Sequence, residues 1–473
     1  SQQEYPDSSS ITRLNALSEP VQTLYGNVGS YPPVTSLDFA RGLLKQSKVY
    51  DSGNNLVSTT TNSYQLSKIV SSVPGQRTSV SGYIPLPDNT FKVASYDMGL
   101  YNEISRNIQL TQSVTQLFDQ STHSNPLTTT HSYTWQPEYP TLLRSESTIR
   151  SDGKLLVNYN SYPMEYASGT TFLDNMVSHY MLAMPIERVS TLQSESTIAI
   201  TGGVLNRYKI GGQGLLDTVF SLSASNPIPL SGFKFSNQLT GVINGTYQPY
   251  HKDGSYIAKS FYQLYDSKNN LIQSQNLGEP SSSTIWSYYQ DVPVAQISNA
   301  TVDKVAYTSF ETNDQQYWLY TAAGRDSSGL AKTGKVRYQL SSGMLKTKAS
   351  LPAGTYIISL WTQGSKPTIG GTTADVSVVN GESDNHSWNF YMDRITGAGG
   401  SQLTLTGSGL IDEVRLYPQG AHISTLTVSP QVGTTSVASQ DDKVNTMEYD
   451  ALQRVKLERD DQYNILKEYA YSN

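Results

Sequence analysis

Tyr449-Asp450-Ala451-Leu452-Gln453-Arg454-Val455, continuing to Asp460-Asp461-Gln462-Tyr463-Asn464-Ile465-Leu466-Lys467-Glu468-Tyr469, is the stretch whose pattern decides the fold. Val455 and Leu457 alternate with polar residues, an Asp-Asp-Gln cluster breaks the alternation, and Ile465 resumes it. A period of two interrupted by turn formers reads as a β-hairpin. Two other stretches keep the same spacing, Tyr50-Asp51-Ser52-Gly53-Asn54-Asn55-Leu56-Val57 and Tyr265-Asp266-Ser267-Lys268-Asn269-Asn270-Leu271-Ile272. Asp and Asn supply the turn because their side chains bond nearby backbone groups and tolerate left-handed conformations. A lone hairpin is marginal in water, whereas like hairpins laid edge to edge share one sheet and cover each other's open edges. Tyr rings along one face add aromatic cross-strand pairs.

Composition points the same way. Only 15% of the 473 residues are charged, while Tyr numbers 33 and Gly 35, with Ser and Thr frequent throughout. That mixture favours strands and turns, so an all-β chain is expected. The exception is Asn175 to Arg188, read as a short helix closed by Pro185. A net charge of −6 excludes the basic footprint of a nucleic-acid binder. With no cysteine there is neither a disulfide framework nor thiolate chemistry. No apolar run approaches the roughly 20 residues of a membrane-spanning helix. The chain opens at Ser1-Gln2-Gln3 and stops inside a repeat phrase, so it is expected to be a piece of a longer protein.

The phrase Tyr-Asp-x-x-x-Arg-Val…Asp-x-Tyr-Asn-Ile-Leu-Lys-Glu-Tyr-x-Tyr resembles the YD-repeat, or RHS-repeat, family, in particular the large surface and secreted proteins of Bacteroidota. The likeness is close over 449–471, fair over 42–66 and 256–300, and diffuse elsewhere. Its signature residues here are Tyr50, Asp51, Tyr265, Asp266, Tyr449, Asp450 and Arg454. Met184-Pro185-Ile186-Glu187 and the series Ile285-Trp286-Ser287-Tyr288, Pro293-Val294-Ala295-Gln296-Ile297 resemble further elements of such proteins.

Four regions are expected. Residues 1–35 are Ser-, Pro- and Gly-rich and read as an irregular lead-in, and 36–302 form a repeat sheet whose strands between 65 and 255 are short. Residues 303–418 are an inserted β-sandwich, and 419–473 resume the repeats. In the insert, Val305–Glu311, Gly354–Trp361 and Ile411–Pro418 are similar to the opening, central and closing strands of galactose-binding-like jelly rolls, a fold shared by many carbohydrate-binding modules. The resemblance thus implies a coiled YD/RHS-repeat β-sheet shell segment plus an inserted jelly roll.

No catalytic constellation is present. His123, His131, His179, His251, His386 and His422 lack metal-ligand spacing, there is no G-x-S-x-G elbow, and Gly211-Gly212-Gln213-Gly214 reads as a turn. Asp441-Asp442 and Asp460-Asp461 read as hairpin tips. Toxin-releasing RHS shells carry a self-cleavage motif beginning Asp-Pro; Ser429-Pro430-Gln431 lacks that Asp and reads as a repeat phrase. Two binding sites are candidates. Glu311 and Asp412, on the first and last strands of the insert, are where related modules hold a structural Ca²⁺. Trp388 and Tyr391, helped by Asp384 and Asn385, offer rings and polar groups for a glycan, with Trp318 and Asn389 nearby in type and Trp361 read as core. No other cofactor is expected.

The resemblance implies a non-enzymatic structural segment of an exported protein at the cell surface or in the medium, delivered by a type IX route. It would serve as an adhesin or as a cocoon for a polymorphic toxin. Its partners would be the remainder of its own chain, an enclosed toxin or other cargo, export machinery, or glycans. The alternative is a glycan-binding surface module on a repeat stalk. A hydrolase finds no support.

Overall fold

A computed structural model describes residues 11–15, 20–24 and 42–472, apart from 89, 120, 123, 151, 195, 196, 212, 398 and 442. His123, Gly212 and Asp442, named above, lie outside the described residues. The chain divides into two compact units, 1–205 with 221–256, and 206–220 with 257–473. Both are built of antiparallel strands, as the composition predicts.

The first unit is a meander. Gln46–Tyr50 pairs with Leu56–Pro85, which pairs with Phe91–Leu117; Leu127–Trp135, Leu143–Ile149, Leu155–Ser161, Glu187–Gln193 and Ile198–Tyr208 follow, each antiparallel to the one before. Short strands are not found throughout. Leu56–Pro85 and Phe91–Leu117 are 30 and 27 residues long and form one extended hairpin. Pro74-Gly75, a turn signal in sequence, stays within it. Gly75 lies opposite Tyr101, whose ring occupies the space where a Cβ would stand. The strand therefore needs glycine there for close approach, not for a bend. In the 1–35 stretch, expected to be irregular, Ile11–Asn15 and Pro20–Leu24 pair with each other. Ile11–Asn15 also pairs with Phe91–Leu117, so the open edge of the long strand recruits it.

The single α-helix among the described residues runs Thr171–Ser178, ending well short of Arg188. Its apolar residues Phe172, Leu173 and Met176 are buried. His179 N–H closes it on Asn175 O, and Tyr180 turns left-handed at φ 56°. The stop thus precedes Pro185, and Glu187 already begins a strand.

The second unit holds a meander of its own. Tyr256–Tyr265, Leu271–Asn276, Ser282–Ser287 and Val292–Ser298 pair in turn, and then Val292–Ser298 pairs with His422–Ser429. Gly433–Ala438, Val444–Tyr449, Val455–Arg459 and Ile465–Glu468 complete it. Ser298 is thus registered on His422 and Ile297 on Ile423, although more than a hundred residues separate them in sequence.

Those intervening residues form two further antiparallel sheets, of seven and four strands. They share one apolar core, with Trp318, Leu345 and Leu405 from the smaller sheet against Tyr356, Ile358, Ile395 and Val414 from the larger. This is a β-sandwich. Its first and last strands, Ala306–Thr308 and Leu410–Pro418, pair with each other.

The turn of the repeat phrase is wired in the same way at each occurrence. Asp51 N–H donates to Asn55 O at 3.0 Å, Asn54 N–H to Asp51 O at 3.1 Å, and Asn55 N–H to Asp51 Oδ1 at 2.8 Å. Asp266, Asp450 and Asp460 repeat this wiring with Asn270, Arg454 and Asn464. The fourth turn residue is left-handed each time, Asn54 at φ 63°, Asn269 at 70°, Gln453 at 63° and Tyr463 at 65°. This is a three-residue hairpin loop ending in a bulge. The sequence shows three copies; the fourth, at Asp460, lacks the preceding Tyr. Two of the signature tyrosines cross to a neighbouring strand, Tyr265 OH donating to Leu216 O at 2.8 Å and Tyr449 OH to Thr434 O at 2.7 Å. Tyr50 is instead exposed. Arg454 pairs with Asp450 at 2.8 Å while its guanidinium lies 4.2 Å from the Tyr471 ring.

Asp266→Ala removes acceptors for Lys268 N–H, Asn270 N–H and the Asn270 amide. It is expected to cost about 1–2 kcal/mol in urea unfolding, with Asp266→Asn recovering part of the loss. An unchanged midpoint for Asp266→Ala would mean the carboxylate does not organise the turn.

Candidate functional site

The residues expected to bind a glycan do not form an open platform. Trp318, Trp361 and Trp388 are 1%, 4% and 0% exposed, so none presents a ring face to solvent. Trp388 packs with Trp361 and Phe390 in a core of its own. Asp384 is buried and accepts from His386 N–H at 2.8 Å and Trp388 N–H at 3.0 Å, capping its own turn. Asn385 spends its amide on Gln462 O, at 2.8 Å. Tyr391 is half-buried beneath the Lys366 ammonium, 5.5 Å from its ring centre. Asn389 accepts from Ser383 at 2.5 Å.

Glu311 and Asp412 grip one backbone loop from two sides. Glu311 Oε1 accepts from Lys335 N–H and Val336 N–H, both at 2.7 Å, and Asp412 Oδ2 accepts from Thr333 N–H at 2.8 Å. Between those donors Gly334 has φ +59°, and a Cβ there would meet the Glu311 carboxylate. Peptide N–H groups thus take lone pairs that a calcium ion would need. Among the described residues no group of three or more His, Cys, Asp or Glu is placed to hold a metal.

What these residues assemble is the seat of the sandwich on the repeat sheet, in two parts. The first is centred on Lys332, 1% exposed. Its Nζ lies 2.8 Å from Asp384 Oδ2, 3.0 Å from Asp461 O and 3.9 Å from the centre of the Trp361 ring. Tyr463 closes the box, its ring 4.0 Å from His386. Asp461 and Tyr463 belong to the fourth Asp turn, so a repeat hairpin plugs directly into the sandwich.

The second part is centred on Glu413 and Arg415, both buried on the closing strand of the sandwich. Arg415 Nε and Nη2 lie 3.1 and 3.0 Å from Glu413 Oε1, Nη2 bonds Thr425 Oγ1 at 3.0 Å, and Nη1 bonds Ser439 O at 2.6 Å. Thr425 also donates to Glu413, and Tyr307 OH donates to Glu413 Oε2 at 2.9 Å. Every group in the network has partners, as a buried ion pair requires. Around it Val305, Tyr307 and Tyr417 of the sandwich pack on Ile285, Val294, Ile297 and Ile423 of the sheet. Burial, with Glu413 beside it, holds the Asp412 carboxyl well above the usual range.

The first unit has its own buried carboxylate. Glu187 accepts from Ser236 N–H at 2.7 Å, Ser236 Oγ at 2.8 Å and Tyr256 OH at 2.9 Å. Burial lifts its pKa to about 7, against those hydrogen bonds. The folded chain therefore keeps this proton to higher pH than the unfolded chain, and stability is lost as pH rises through the interval between the two values. Asp412 acts in the same direction. Urea unfolding is expected to show stability falling from pH 5 to pH 8, with Glu187→Gln flattening the fall by up to roughly 3 kcal/mol. A profile unchanged by Glu187→Gln would contradict this.

Sequence reasoning did not reach Lys332, Glu413 or Arg415. Lys332 has no signal, since a lysine in a Gly-rich loop ordinarily reads as solvated. Glu413 and Arg415 alternate on a strand, but a left-handed bulge at Glu413, φ 53°, shifts which face each neighbour takes.

No family model matches the chain, and no curated protein matches it. Among solved structures, a chain of the TcdB2–TccC3 complex is similar at 10% identity over 85% of this chain and 25% of that chain, with a TM-score of 0.31. A chain of TcdB2–TccC3–Cdc42 matches at 11% identity over 99% of this chain and 24% of that one, with a TM-score of 0.20. The chain thus spans about a quarter of the length of those chains. Scores of this size assign no fold. Among the described residues no helix is long and apolar enough to cross a membrane.

Proposed function

We propose that this chain is a non-enzymatic wall segment of a larger YD/RHS-repeat-like protein, and that its sandwich is carried as a buttress on the wall. The observation that carries the reading is the ladder itself. Asp turns of one wiring close four of its hairpins, and pairing passes from Val292–Ser298 to His422–Ser429 without a gap at the insertion. A sheet able to absorb a whole domain between neighbouring strands extends by adding hairpins, which is what a wall needs.

The finer reading follows the residue-level likeness of the phrase. The full protein would be exported to the surface or medium of a Bacteroidota bacterium by a type IX route, and its wall would serve as an adhesin or enclose a toxin. Electron microscopy of the longer protein, with limited proteolysis, tests the wall. A closed hollow particle that shields an internal segment from protease is expected. An extended rod with every segment cleaved at equal rates would overturn the reading.

A further inference from the structure

The hairpin between Ser282–Ser287 and Val292–Ser298 turns on three successive left-handed residues, none of them glycine: Tyr288 at φ 52°, Tyr289 at 62° and Gln290 at 66°. L side chains other than Asn and Asp are disfavoured there, so the surroundings must impose this backbone. They do so on both flanks of Tyr289. Tyr288 OH donates to Val428 O at 2.9 Å, and Val428 N–H donates back to the same hydroxyl at 3.1 Å. The Gln290 carbonyl accepts from the Asn270 amide at 2.7 Å, and its side-chain oxygen accepts from Ser267 at 3.1 Å. Tyr289 between them is 88% exposed. The fold uses its neighbours and holds the central ring out in water, in a conformation that glycine would adopt more readily.

That ring borders an open cleft of about 1070 Å³ between the repeat hairpin and the sandwich. Its charges balance, with Lys268, Arg325 and Lys335 matched by Asp291, Glu311 and Asp314. A second hollow of about 850 Å³ shares Lys335, Ser429 and Thr435 with it, so the opening continues along the junction.

We propose that this cleft binds a neutral, extended oligosaccharide, with one sugar ring stacked on Tyr289. An exposed flat ring suits the apolar C–H face of a pyranose, and hydroxyls need donors and acceptors in similar number, which charge-balanced walls supply. A polyanion would meet no net positive charge here. The proposal does not depend on the wall reading.

The test is an array of neutral glycans probed with the whole chain, followed by calorimetry with the best-bound hexasaccharide. Saturable binding is expected, weakened at least tenfold by Tyr289→Ala and retained by Tyr289→Trp. Tyr289→Gly is expected to abolish binding without lowering the melting temperature, which a merely structural tyrosine would not do. Silence across the array, binding indifferent to Tyr289→Ala, or saturable binding of unfolded casein peptides in place of glycans would overturn the proposal.

Discussion

Arg415→Met is expected to destabilise the second unit by about 3–5 kcal/mol in urea unfolding. Methionine retains much of the buried hydrocarbon, so the loss is electrostatic. Glu413, 2% exposed, would be left buried with its cationic partner gone. The Thr425 hydroxyl and the Ser439 carbonyl would each lose a donor. Glu413→Gln combined with Arg415→Met should recover a large part of the loss, because the unpaired charge is then absent. Equal destabilisation of the single and double variants would show that packing, not the ion pair, fastens the sandwich to the sheet.

Lys332→Met should cost a similar about 3–5 kcal/mol, because Asp384 would be left buried without its ion-pair partner. The expected consequence is local as well as global. The Lys332 ammonium bonds Asp461 O, so its removal should loosen the fourth Asp turn, read as faster amide exchange at Gln462 and Asn464. Lys332→Met with Asp384→Asn should restore part of the stability, since asparagine still accepts from His386 and Trp388 N–H. If the single substitution leaves exchange at that turn unchanged, the hairpin is held by other contacts.

The fold was legible where local chemistry decides it. Asp followed four residues later by Asn or Arg specifies a turn, because one carboxylate reaches both the backbone and the side chain of the later residue. The strand Gly354–Gln363 was likewise readable from the apolar and polar alternation of Gly354–Trp361. The long hairpin was not, since Pro74-Gly75 carries a turn signal that Tyr101 overrides from the opposite strand. The candidate site was readable only in its members. Ser383-Asp384-Asn385-His386-Ser387 is polar and suggests an exposed loop around Trp388. In the structure those polar groups are consumed by a cap, an ion pair and a docked hairpin, which together bury the ring. Burial of that kind depends on what lies across a junction seventy or more positions away, and no local pattern encodes it.

The central claim is that the repeat ladder passes straight through the insertion point. It is tested most directly by cross-linking, since the native chain contains no cysteine. Gln296 and Ser424 are opposite one another and exposed. Cysteines placed at both should be joined in high yield by a reagent spanning about 5 Å, the separation of paired residues in an antiparallel ladder. Cysteines at Gln296 and Val437, which lies one strand further on, should not be joined. Failure of the first pair together with cross-linking of the second would contradict the account.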